Sequence, residues 1–229
     1  MVGRITKALT NYHDPRSFGS RLRARRIRPL TEMIEEVRSL KGSVRIIDVG
    51  GTEAYWRILP TDYLAERDVT ITLVNMPGEV VPSRSAVFDY LEADGCDLES
   101  IEAGCYDIAH SNSVIEHVGD WNRMVAFAKE VARVAPRYFV QTPNYWFPME
   151  PHFMSPFFHW LPIGTRARLL RAMPLGAWER ATSEAESLRA VSSIRLLRRE
   201  ELQELFPTAS IETERVAGLP KSLIAIKCK

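Results

Sequence analysis

Apolar and polar residues follow two periods along the chain, one typical of strands and one typical of helices. Short, mostly apolar runs predict strands at residues 44–49, 69–75, 84–88, 106–111, 137–142, 210–216 and 222–228. The helical period predicts helices at residues 16–40, 53–66, 120–133 and 198–206. Because strands alternate with helices, we predict an α/β fold with a Rossmann-like, doubly wound seven-stranded sheet, mostly parallel with an antiparallel last strand.

The length of 229 residues and the apolar content of 45% are those of one globular domain. We therefore predict a single domain over residues 1–229. Within it, residues 1–43 are expected to form a helical N-terminal segment, and residues 145–190 to form a lid insert. No internal repeat or low-complexity tract interrupts this organisation.

The net charge is nearly balanced, but the arginines are unevenly distributed. Lysine and arginine number 30 against 29 acidic residues, so the charge of +1 gives no general attraction to nucleic acid or membranes. Arginines crowd a short stretch near the start of the chain: Arg16, Arg21, Arg23, Arg25, Arg26 and Arg28. This stretch is either a solvated helix face paired with nearby glutamates or a contact for phosphate, an anionic glycan or a headgroup.

The cysteines and the apolar runs indicate in which cellular compartment the protein is expected. Cys96, Cys105 and Cys228 have neither the number nor the spacing of a disulfide or zinc framework, which favours a reducing compartment. The first residues lack the apolar core of a signal peptide. The longest apolar-aromatic run, residues 153–163, contains two prolines and is shorter than the roughly 20 residues that a membrane span needs. We therefore expect a soluble, cytoplasmic protein.

Polar and small residues follow the first two predicted strands. In an open α/β sheet, ligands bind beyond the carboxyl ends of the strands. Asp48 ends the first strand region, and Gly50, Gly51 and Thr52 follow it. The glycines let the backbone approach a ligand closely, although the same pair also suits a tight turn without one. Asn75 follows the second strand, where its amide can bind a ligand or cap the loop after it.

The most informative motif lies after the fourth predicted strand. The apolar run at residues 106–111 breaks into a polar turn and restarts as a helix that carries Glu116 and His117. The sequence S-N-S-V-I-E-H-V at residues 111–118 resembles the fourth motif of class I S-adenosylmethionine (SAM) dependent methyltransferases. Three further segments resemble a bacterial subgroup of the type 11 methyltransferases, often associated with glycan or small-molecule modification: Q-T-P-N-Y at 141–145, E-P-H at 150–152 and G-L-P-K-S at 218–222. The resemblance covers nearly all of residues 44–229 and implies SAM-dependent methyl transfer.

The resemblance also implies which residues hold the SAM cofactor. They are Asp48, Gly50, Gly51, Thr52, Asn75, Asp94, Gly95, Ser111 and Asn112. Asp94 would receive the adenine amino group, and a helix N-cap role for Asp97 is compatible with this. The chain departs from the family pattern in two places. Thr52 and Ala54 replace the second and third glycines of the usual loop, and Asn75 replaces an acidic residue that binds the ribose hydroxyls.

Methyl transfer to a hydroxyl requires alignment of the acceptor and removal of a proton. Glu116 and His117, with His152 downstream, are similar to the magnesium-binding set of plant small-RNA terminal 2′-O-methyltransferases and to a related pair in ubiquinone-pathway O-methyltransferases. This resemblance implies an Mg²⁺ or Mn²⁺ site, although Ser113 stands where those families carry another glutamate. A metal-free general base at His117 or His152 and a purely structural role remain alternatives.

The hypothesis is therefore an O-methyltransferase that modifies a hydroxyl of a sugar or glycan fragment, as in polysaccharide biosynthesis. The alternatives are N-methylation of an amino sugar or small amine, and a noncatalytic SAM-fold module in a biosynthetic complex. The aromatic residues of segment 145–160 predict either a wall that stacks on a sugar or the cofactor, or a lid core or homodimer interface. Arg166, Arg168 and Arg171 predict an exposed basic edge, whereas His13 and His110 are expected to be structural.

Overall fold

The computed structural model describes residues 18–60, 62–79 and 85–229, with side chains from residue 26 onward. His13 and Arg16 lie outside the described residues, as do the side chains of Arg21, Arg23 and Arg25. The predictions for these arginines and for His13 therefore stay predictions. Within the described part of the chain, no helix is both long and apolar enough to cross a membrane.

A seven-stranded sheet organises the fold. The strands of the described residues are β1 (Val44–Val49), β2 (Val69–Asn75), β3 (Phe88–Glu92), β4 (Ile108–Asn112), β5 (Arg137–Pro143), β6 (Met149–Glu150), β7 (Ser155–Pro156), β8 (Ser210–Val216) and β9 (Leu219–Lys227). The large sheet has the order β3-β2-β1-β4-β5-β9-β8, and β6 pairs with β7 in a separate ribbon. β1 runs parallel to β2 and β4, and β2 runs parallel to β3.

The last two strands of the sheet form a hairpin. Ala217 and Gly218 alone connect β8 to β9, and a connection this short joins only antiparallel strands. Both residues have positive φ, 50° and 81°, as a twisted two-residue hairpin turn requires. The sheet is therefore mostly parallel with an antiparallel end. This confirms the predicted Rossmann-like fold class.

Helices account for most of the connections. They are α1 (Phe18–Lys41), α2 (Glu53–Trp56), α3 (Trp121–Val134), α4 (Ile163–Ala172), α5 (Glu184–Ser192) and α6 (Arg199–Leu205). In α3 the buried residues Met124, Phe127, Ala128 and Val131 recur at the spacing of one helix face, so this helix covers apolar surface. The backbone N–H of Glu186 donates to the Ser183 hydroxyl, which caps the start of α5.

Four predicted elements differ from the structure at a boundary by two residues or more, and one of them is β4, which starts at Ile108 and not at residue 106. The helix predicted over residues 53–66 is wrong, because α2 ends at Trp56 and only a short 3₁₀ turn, Ala65–Arg67, follows. Pro60 lies between the two and cannot donate a helical hydrogen bond. The third strand occupies Phe88–Glu92 instead of residues 84–88, and the last strand starts at Leu219. The bounds of β1, β2 and β8 agree with the predictions.

The chain divides into two compact units that are interleaved along the sequence. Of the described residues, the first unit comprises 18–60, 62–79, 85–111, 130–139 and 226–229, and the second comprises 112–129 and 140–225. Buried aliphatic residues of β1 and β2 form the centre of the first unit. The second unit contains a buried cluster around Phe153, Phe158, Leu170 and Val191, and Trp178 stacks on Phe153 with 5.4 Å between ring centroids.

Candidate functional site

The glycine pair after β1 makes a turn that leaves no room for side chains. Gly50 has a φ of 73°, which favours glycine, and its N–H donates to the Val74 carbonyl at 2.7 Å. A Cβ at Gly51 would lie 1.9 Å from a carboxylate oxygen of Asp48. Both glycines are therefore required by the path of the chain, whether or not a ligand is bound there.

The carboxylate of Asp48 lies against this turn and fixes its position. Asp48 is fully buried, accepts a hydrogen bond from the indole N–H of Trp56 at 2.8 Å, and lies 2.6 Å from Nδ1 of His110. His110 is also fully buried and packs against the rings of Tyr55 and Phe139. Asp48 thus acts as an anchor for the loop, and the surroundings of His110 match the structural role expected for it.

Asn75 connects the end of β2 to the same loop. Its side-chain N–H donates to the Gly51 carbonyl at 2.9 Å. The sequence left open whether the Asn75 amide binds a ligand or caps the loop after it, and the observed contact is with the glycine turn. The amide therefore helps to fix the backbone conformation of the turn. Thr52, which begins the approach to α2, is exposed and makes no side-chain capping bond.

The remaining residues predicted to bind the cofactor lie in the Asp94 loop and at the end of β4. Asp94 accepts a hydrogen bond from the Cys96 N–H at 2.9 Å, and its carbonyl accepts one from the Asp97 N–H at 2.8 Å, so residues 94–97 form a tight turn around Gly95. The Ser111 hydroxyl donates to the Val49 carbonyl at 2.9 Å. Asn112 has a buried side-chain oxygen without a hydrogen-bond partner in the described part of the chain.

A sharp turn carries Glu116 and His117 away from β4. Ser113 has a φ of 58°, its N–H donates to the Gln141 carbonyl at 2.9 Å, and its hydroxyl donates to the Gln141 side chain at 3.0 Å. Glu116 and His117 then lie on a 3₁₀ turn, Ile115–His117. The predicted helix that carries this pair is therefore wrong, because α3 begins only at Trp121.

Glu116, His117 and His152 meet in the second unit. One ligand atom from each residue lies within 4.8 Å of the others. The imidazole rings of His117 and His152 stand edge to face, with 4.7 Å between their centroids. Glu116 is buried, His152 is half-buried and His117 is exposed, so the cluster extends from the interior of the unit to its surface.

The carboxylate of Glu116 has one satisfied and one unsatisfied oxygen. Oε2 accepts a hydrogen bond from the Thr142 hydroxyl at 2.9 Å, whereas Oε1 is buried and has no hydrogen-bond partner among the described residues. Burial raises the pKa of Glu116 from 4.5 to about 7, because the charged form loses hydration. A cation beside Oε1 would offset this cost.

Both imidazoles of the cluster have a nitrogen that can bind a ligand. Nδ1 of His152 lies 2.7 Å from Oε1 of Glu150, a buried residue whose Oε2 accepts from the Phe153 N–H. This pairing orients the ring and leaves Nε2 for a ligand. Crowding by protein atoms and the nearby His152 lower the pKa of His117 to about 4, so His117 is uncharged near neutral pH.

The residues of the cluster fit a divalent cation. A buried carboxylate oxygen that lacks a partner, two imidazole nitrogens and a carboxylate behind one imidazole form a donor set of the kind that binds such ions, with water completing the shell. Sequence analysis missed the roles of Thr142 and Glu150. The signal for Glu150 was its position two residues before a predicted ligand, which lets the two side chains meet in a turn.

Comparisons with known proteins gave matches among solved structures. No protein-family model matches the sequence, and no curated protein matches it. Solved structures of similar fold include an O-methyltransferase family protein from Burkholderia thailandensis, with 13% identity, 89% of this chain and 57% of that chain covered, and a TM-score of 0.47. Magnesium protoporphyrin IX methyltransferase from Synechocystis PCC 6803 has 10% identity, coverage of 98% and 91%, and a TM-score of 0.49.

A third similar structure is phosphoethanolamine N-methyltransferase 2 from Haemonchus contortus, with 12% identity, 80% of this chain covered and a TM-score of 0.47. The chain spans 57% of the length of the Burkholderia protein and 38% of the Haemonchus protein. At these identities the similarity concerns the fold.

Proposed function

We propose that the protein is a SAM-dependent methyltransferase that modifies a hydroxyl of a sugar or glycan fragment with the help of a divalent cation. The observation that supports this most directly is the cluster of Glu116, His117 and His152, with its buried, unpartnered carboxylate oxygen. The sequence motif that carries the first two of these residues is the one that resembles the methyltransferases. A buried oxygen without a partner is costly unless a ligand uses it.

For the cofactor, we propose the loops of the first unit that follow parallel strands, together with the end of β4. The proposed contacts are the backbone at Gly50, Gly51 and Thr52, and the polar groups of Asn75, Asp94, Gly95, Ser111 and Asn112. Asp48 would act through the loop that it anchors, since its carboxylate is occupied by Trp56 and His110. SAM, when bound, supplies a methyl group on a positively charged sulfur.

For the acceptor, we propose that Glu116, His117 and His152 hold Mg²⁺ or Mn²⁺. A hydroxyl is a poor nucleophile near neutral pH, and the chemistry that a divalent cation supplies is to make the hydroxyl proton easier to remove. Thr142 holds the Glu116 carboxylate, and Glu150 holds the His152 ring, so both ligands keep their orientation.

A metal-free mechanism, in which His117 or His152 acts as a general base, is the second candidate. The lowered pKa of His117 keeps its imidazole unprotonated near neutral pH, so it can accept a proton from a hydroxyl or an amine, as a weaker base than an ordinary histidine. The same feature suits N-methylation of an amino sugar. The two candidates differ in their response to a chelator.

Aromatic residues of the second unit favour a sugar as the acceptor. Trp146 and Phe157 are each 53% exposed, and Trp160 is 39% exposed. The Trp160 ring lies 5.2 Å from that of Phe157 and 6.2 Å from that of Trp146, so the three form an exposed aromatic patch. Such rings stack on sugar faces. A homodimer contact is the other use of this patch, and the mass of the protein in solution distinguishes the two.

The decisive experiment is a calorimetric titration with S-adenosylhomocysteine, followed by transfer of labelled methyl from SAM to neutral sugars and amino sugars. Each assay is run with Mg²⁺ and with a chelator. Micromolar binding of S-adenosylhomocysteine and methylation of a hydroxyl that the chelator abolishes are the expected results. Activity that survives the chelator favours the base mechanism, and methylation of an amine favours the N-methyltransferase. Folded protein that does not bind S-adenosylhomocysteine would be a noncatalytic module.

A further inference from the structure

The second unit contains a cavity of about 340 Å³ that is rich in charged side chains. This volume is at the lower end of the range for small-molecule sites, roughly 300 to 1,000 Å³. Its charged and titratable lining residues are Glu150, His159, Arg166, Arg195, Arg198 and Glu201. Phe153, Phe158 and Val191 supply apolar wall. The predicted exposed basic edge is wrong for Arg166, which is half-buried in this wall, whereas Arg168 and Arg171 are exposed.

Both carboxylates of the cavity have hydrogen-bonded partners, whereas two of its guanidinium groups form no ion pair in the part of the chain that the structure describes. Glu201 pairs with Arg195 at 2.9 Å, and Glu150 pairs with His152 at 2.7 Å. Neither Arg166 nor Arg198 forms an ion pair within residues 18–60, 62–79 and 85–229. Three arginines and two glutamates line the cavity, so its positive charges outnumber its negative charges.

Arg166 and Arg198 are held in place by uncharged groups. Arg166 donates to the Val191 carbonyl at 3.3 Å, and its Nε is buried without a partner in the described chain. Burial lowers the pKa of Arg166, because burial disfavours the charged form. The guanidinium of Arg198 lies 4.8 Å from the ring centroid of Tyr145 and 5.3 Å from that of Trp146. These contacts orient both groups without using their capacity to bind an anion.

His159 adds a buried hydrogen-bond acceptor. It is 9% exposed, and its Nε2 lies 2.7 Å from the Tyr145 carbonyl oxygen. A carbonyl only accepts, so Nε2 carries the proton and Nδ1 of the neutral ring has a free lone pair. Nδ1 is buried and has no partner among the described residues. A ligand that satisfies it must donate a hydrogen bond, as a hydroxyl does.

We propose that this cavity binds an acidic sugar, with the anionic group facing Arg166 and Arg198 and a sugar hydroxyl donating to Nδ1 of His159. A ligand with both an anionic group and a hydroxyl satisfies the two arginines and the histidine together, whereas a neutral sugar leaves the arginines unpaired. The shared chemistry is an anionic oxygen group, either the carboxylate of a uronic acid or the phosphate of a sugar phosphate.

This inference rests on the proposed function and narrows its acceptor to acidic sugars. Glu150 provides the physical connection, because one carboxylate both lines the cavity and holds the ring of His152. A sugar in the cavity would thus lie beside the residue that orients a proposed metal ligand. Occupation of the cavity is expected to position the acceptor with respect to the Glu116, His117 and His152 cluster.

The test is a set of calorimetric titrations with glucuronic acid, glucose 6-phosphate and glucose, without SAM and without metal. We expect at least one acidic sugar to bind at least tenfold more tightly than glucose. Arg166→Gln and Arg198→Gln should each reduce that preference by about tenfold while leaving the affinity for glucose unchanged. Arg168→Gln is the matched control, because Arg168 lies on the same helix but is exposed and does not line the cavity. It should retain the full preference.

His159→Phe should weaken the binding of acidic sugars and glucose to a similar extent, since it removes the acceptor of the hydroxyl. Thermal unfolding of every variant checks the fold, and Arg198→Gln decides the matter if Arg166→Gln does not fold. Equal affinity for all three sugars, undetectable binding of both acids, or a preference that survives Arg198→Gln would overturn the proposal. The tighter of the two acids identifies the carboxylate or the phosphate as the group that is bound.

Titration of the same protein with S-adenosylhomocysteine separates this inference from the proposed function. A preference for acidic sugars without cofactor binding would support the acidic-sugar site and contradict the methyltransferase function. Cofactor binding without that preference would support the methyltransferase function and contradict the acidic-sugar site. Both measurements use the full chain.

Discussion

Glu150 orients His152: Oε1 of the buried carboxylate lies 2.7 Å from Nδ1 of the imidazole, and Oε2 accepts the N–H of Phe153. Both oxygens of Glu150 are therefore used within one turn of the chain. Glu150→Gln retains an acceptor but removes the charge, so it should weaken Mn²⁺ binding by about 10- to 100-fold, as is usual when the partner of a ligand histidine is changed. Calorimetric titration with Mn²⁺ measures this.

His152→Ala is the reference for that experiment, because it removes the ligand itself and should lose more affinity than Glu150→Gln. Glu204→Gln, which changes an exposed carboxylate outside the cluster, is the control. If Glu150→Gln binds Mn²⁺ as the unaltered protein does, Glu150 has no role in positioning the ligand.

Glu116→Gln should change how stability depends on pH. Burial raises the pKa of Glu116 from 4.5 to about 7, so between these values the native state keeps a proton that the unfolded chain has lost. The contribution of this group to the free energy of unfolding is full below about pH 4.5 and is lost as the pH rises through about 7. The stability of Glu116→Gln relative to the unaltered protein should thus rise by about 2 to 3 kcal/mol between about pH 5 and about pH 8.

Urea unfolding at the two pH values, with a chelator present, measures this change. Only the difference between the two pH values matters, so any constant cost of burying the glutamine amide cancels. Glu204→Gln should show no such change. Parallel pH profiles for Glu116→Gln and the unaltered protein would contradict the burial of a titrating carboxylate.

Gly51→Ala should impair both folding and cofactor binding. The added Cβ would lie 1.9 Å from a carboxylate oxygen of Asp48, so either the turn or the bonds from Asp48 to Trp56 and His110 must shift. We expect a loss of about 2 kcal/mol or more in the free energy of unfolding, and weaker binding of S-adenosylhomocysteine. Chemical unfolding and calorimetry provide the two readouts.

Gly164→Ala is the matched control for this substitution. Gly164 lies in α4, and a Cβ there meets nothing within 4 Å. It should be neutral or stabilising by up to about 1 kcal/mol, because alanine favours a helix. Undiminished cofactor affinity in Gly51→Ala would exclude this turn from the cofactor site.

His117→Ala should lower turnover by about two orders of magnitude or more, whether the imidazole binds a cation or accepts a proton. The affinity for S-adenosylhomocysteine should stay unchanged, because the proposed cofactor contacts lie elsewhere in the chain. Steady-state kinetics with SAM and the methylated acceptor measure the first effect. Turnover equal to that of the unaltered protein would exclude a catalytic role for His117.

Asp94→Ala should weaken cofactor binding by roughly 1 to 3 kcal/mol, the cost of losing a buried hydrogen bond. Asp94 also accepts the Cys96 N–H, so a loss of affinity can arise from the collapse of the turn. Asp94→Asn keeps this acceptor and tests the carboxylate alone. Calorimetric affinities of S-adenosylhomocysteine for the three proteins separate the two effects, and equal values would show that the adenine does not bind here.

The sheet was predictable because its strands carry strong local signals. β1 and β2 are runs of β-branched and aliphatic residues, and their predicted bounds agree with the structure. The short helix α2 was overextended because the apolar period continues past Trp56, while Pro60 breaks the backbone hydrogen bonding. β3 has a weak signal, since it lacks a fully buried residue.

The site was predictable only in its parts. The motif at Glu116 and His117 is local, but the approach of His152 depends on a turn later in the chain. Arg166 was expected to be exposed because the arginines of its helix recur at helical spacing. That spacing does not show that residues 194–198 line a cavity together with Arg166. Tertiary packing, which no short window of sequence contains, determines both features.

The division of the chain into two interleaved units restricts how this protein can be altered or recombined. The backbone passes from one unit to the other four times, between residues 111 and 112, 129 and 130, 139 and 140, and 225 and 226. The unit with the proposed acceptor residues is thus not encoded by a continuous gene segment. Exchange of residues 112–225 as one segment would therefore also replace residues 130–139 of the first unit, whereas the stretch 145–190 lies wholly within the second unit.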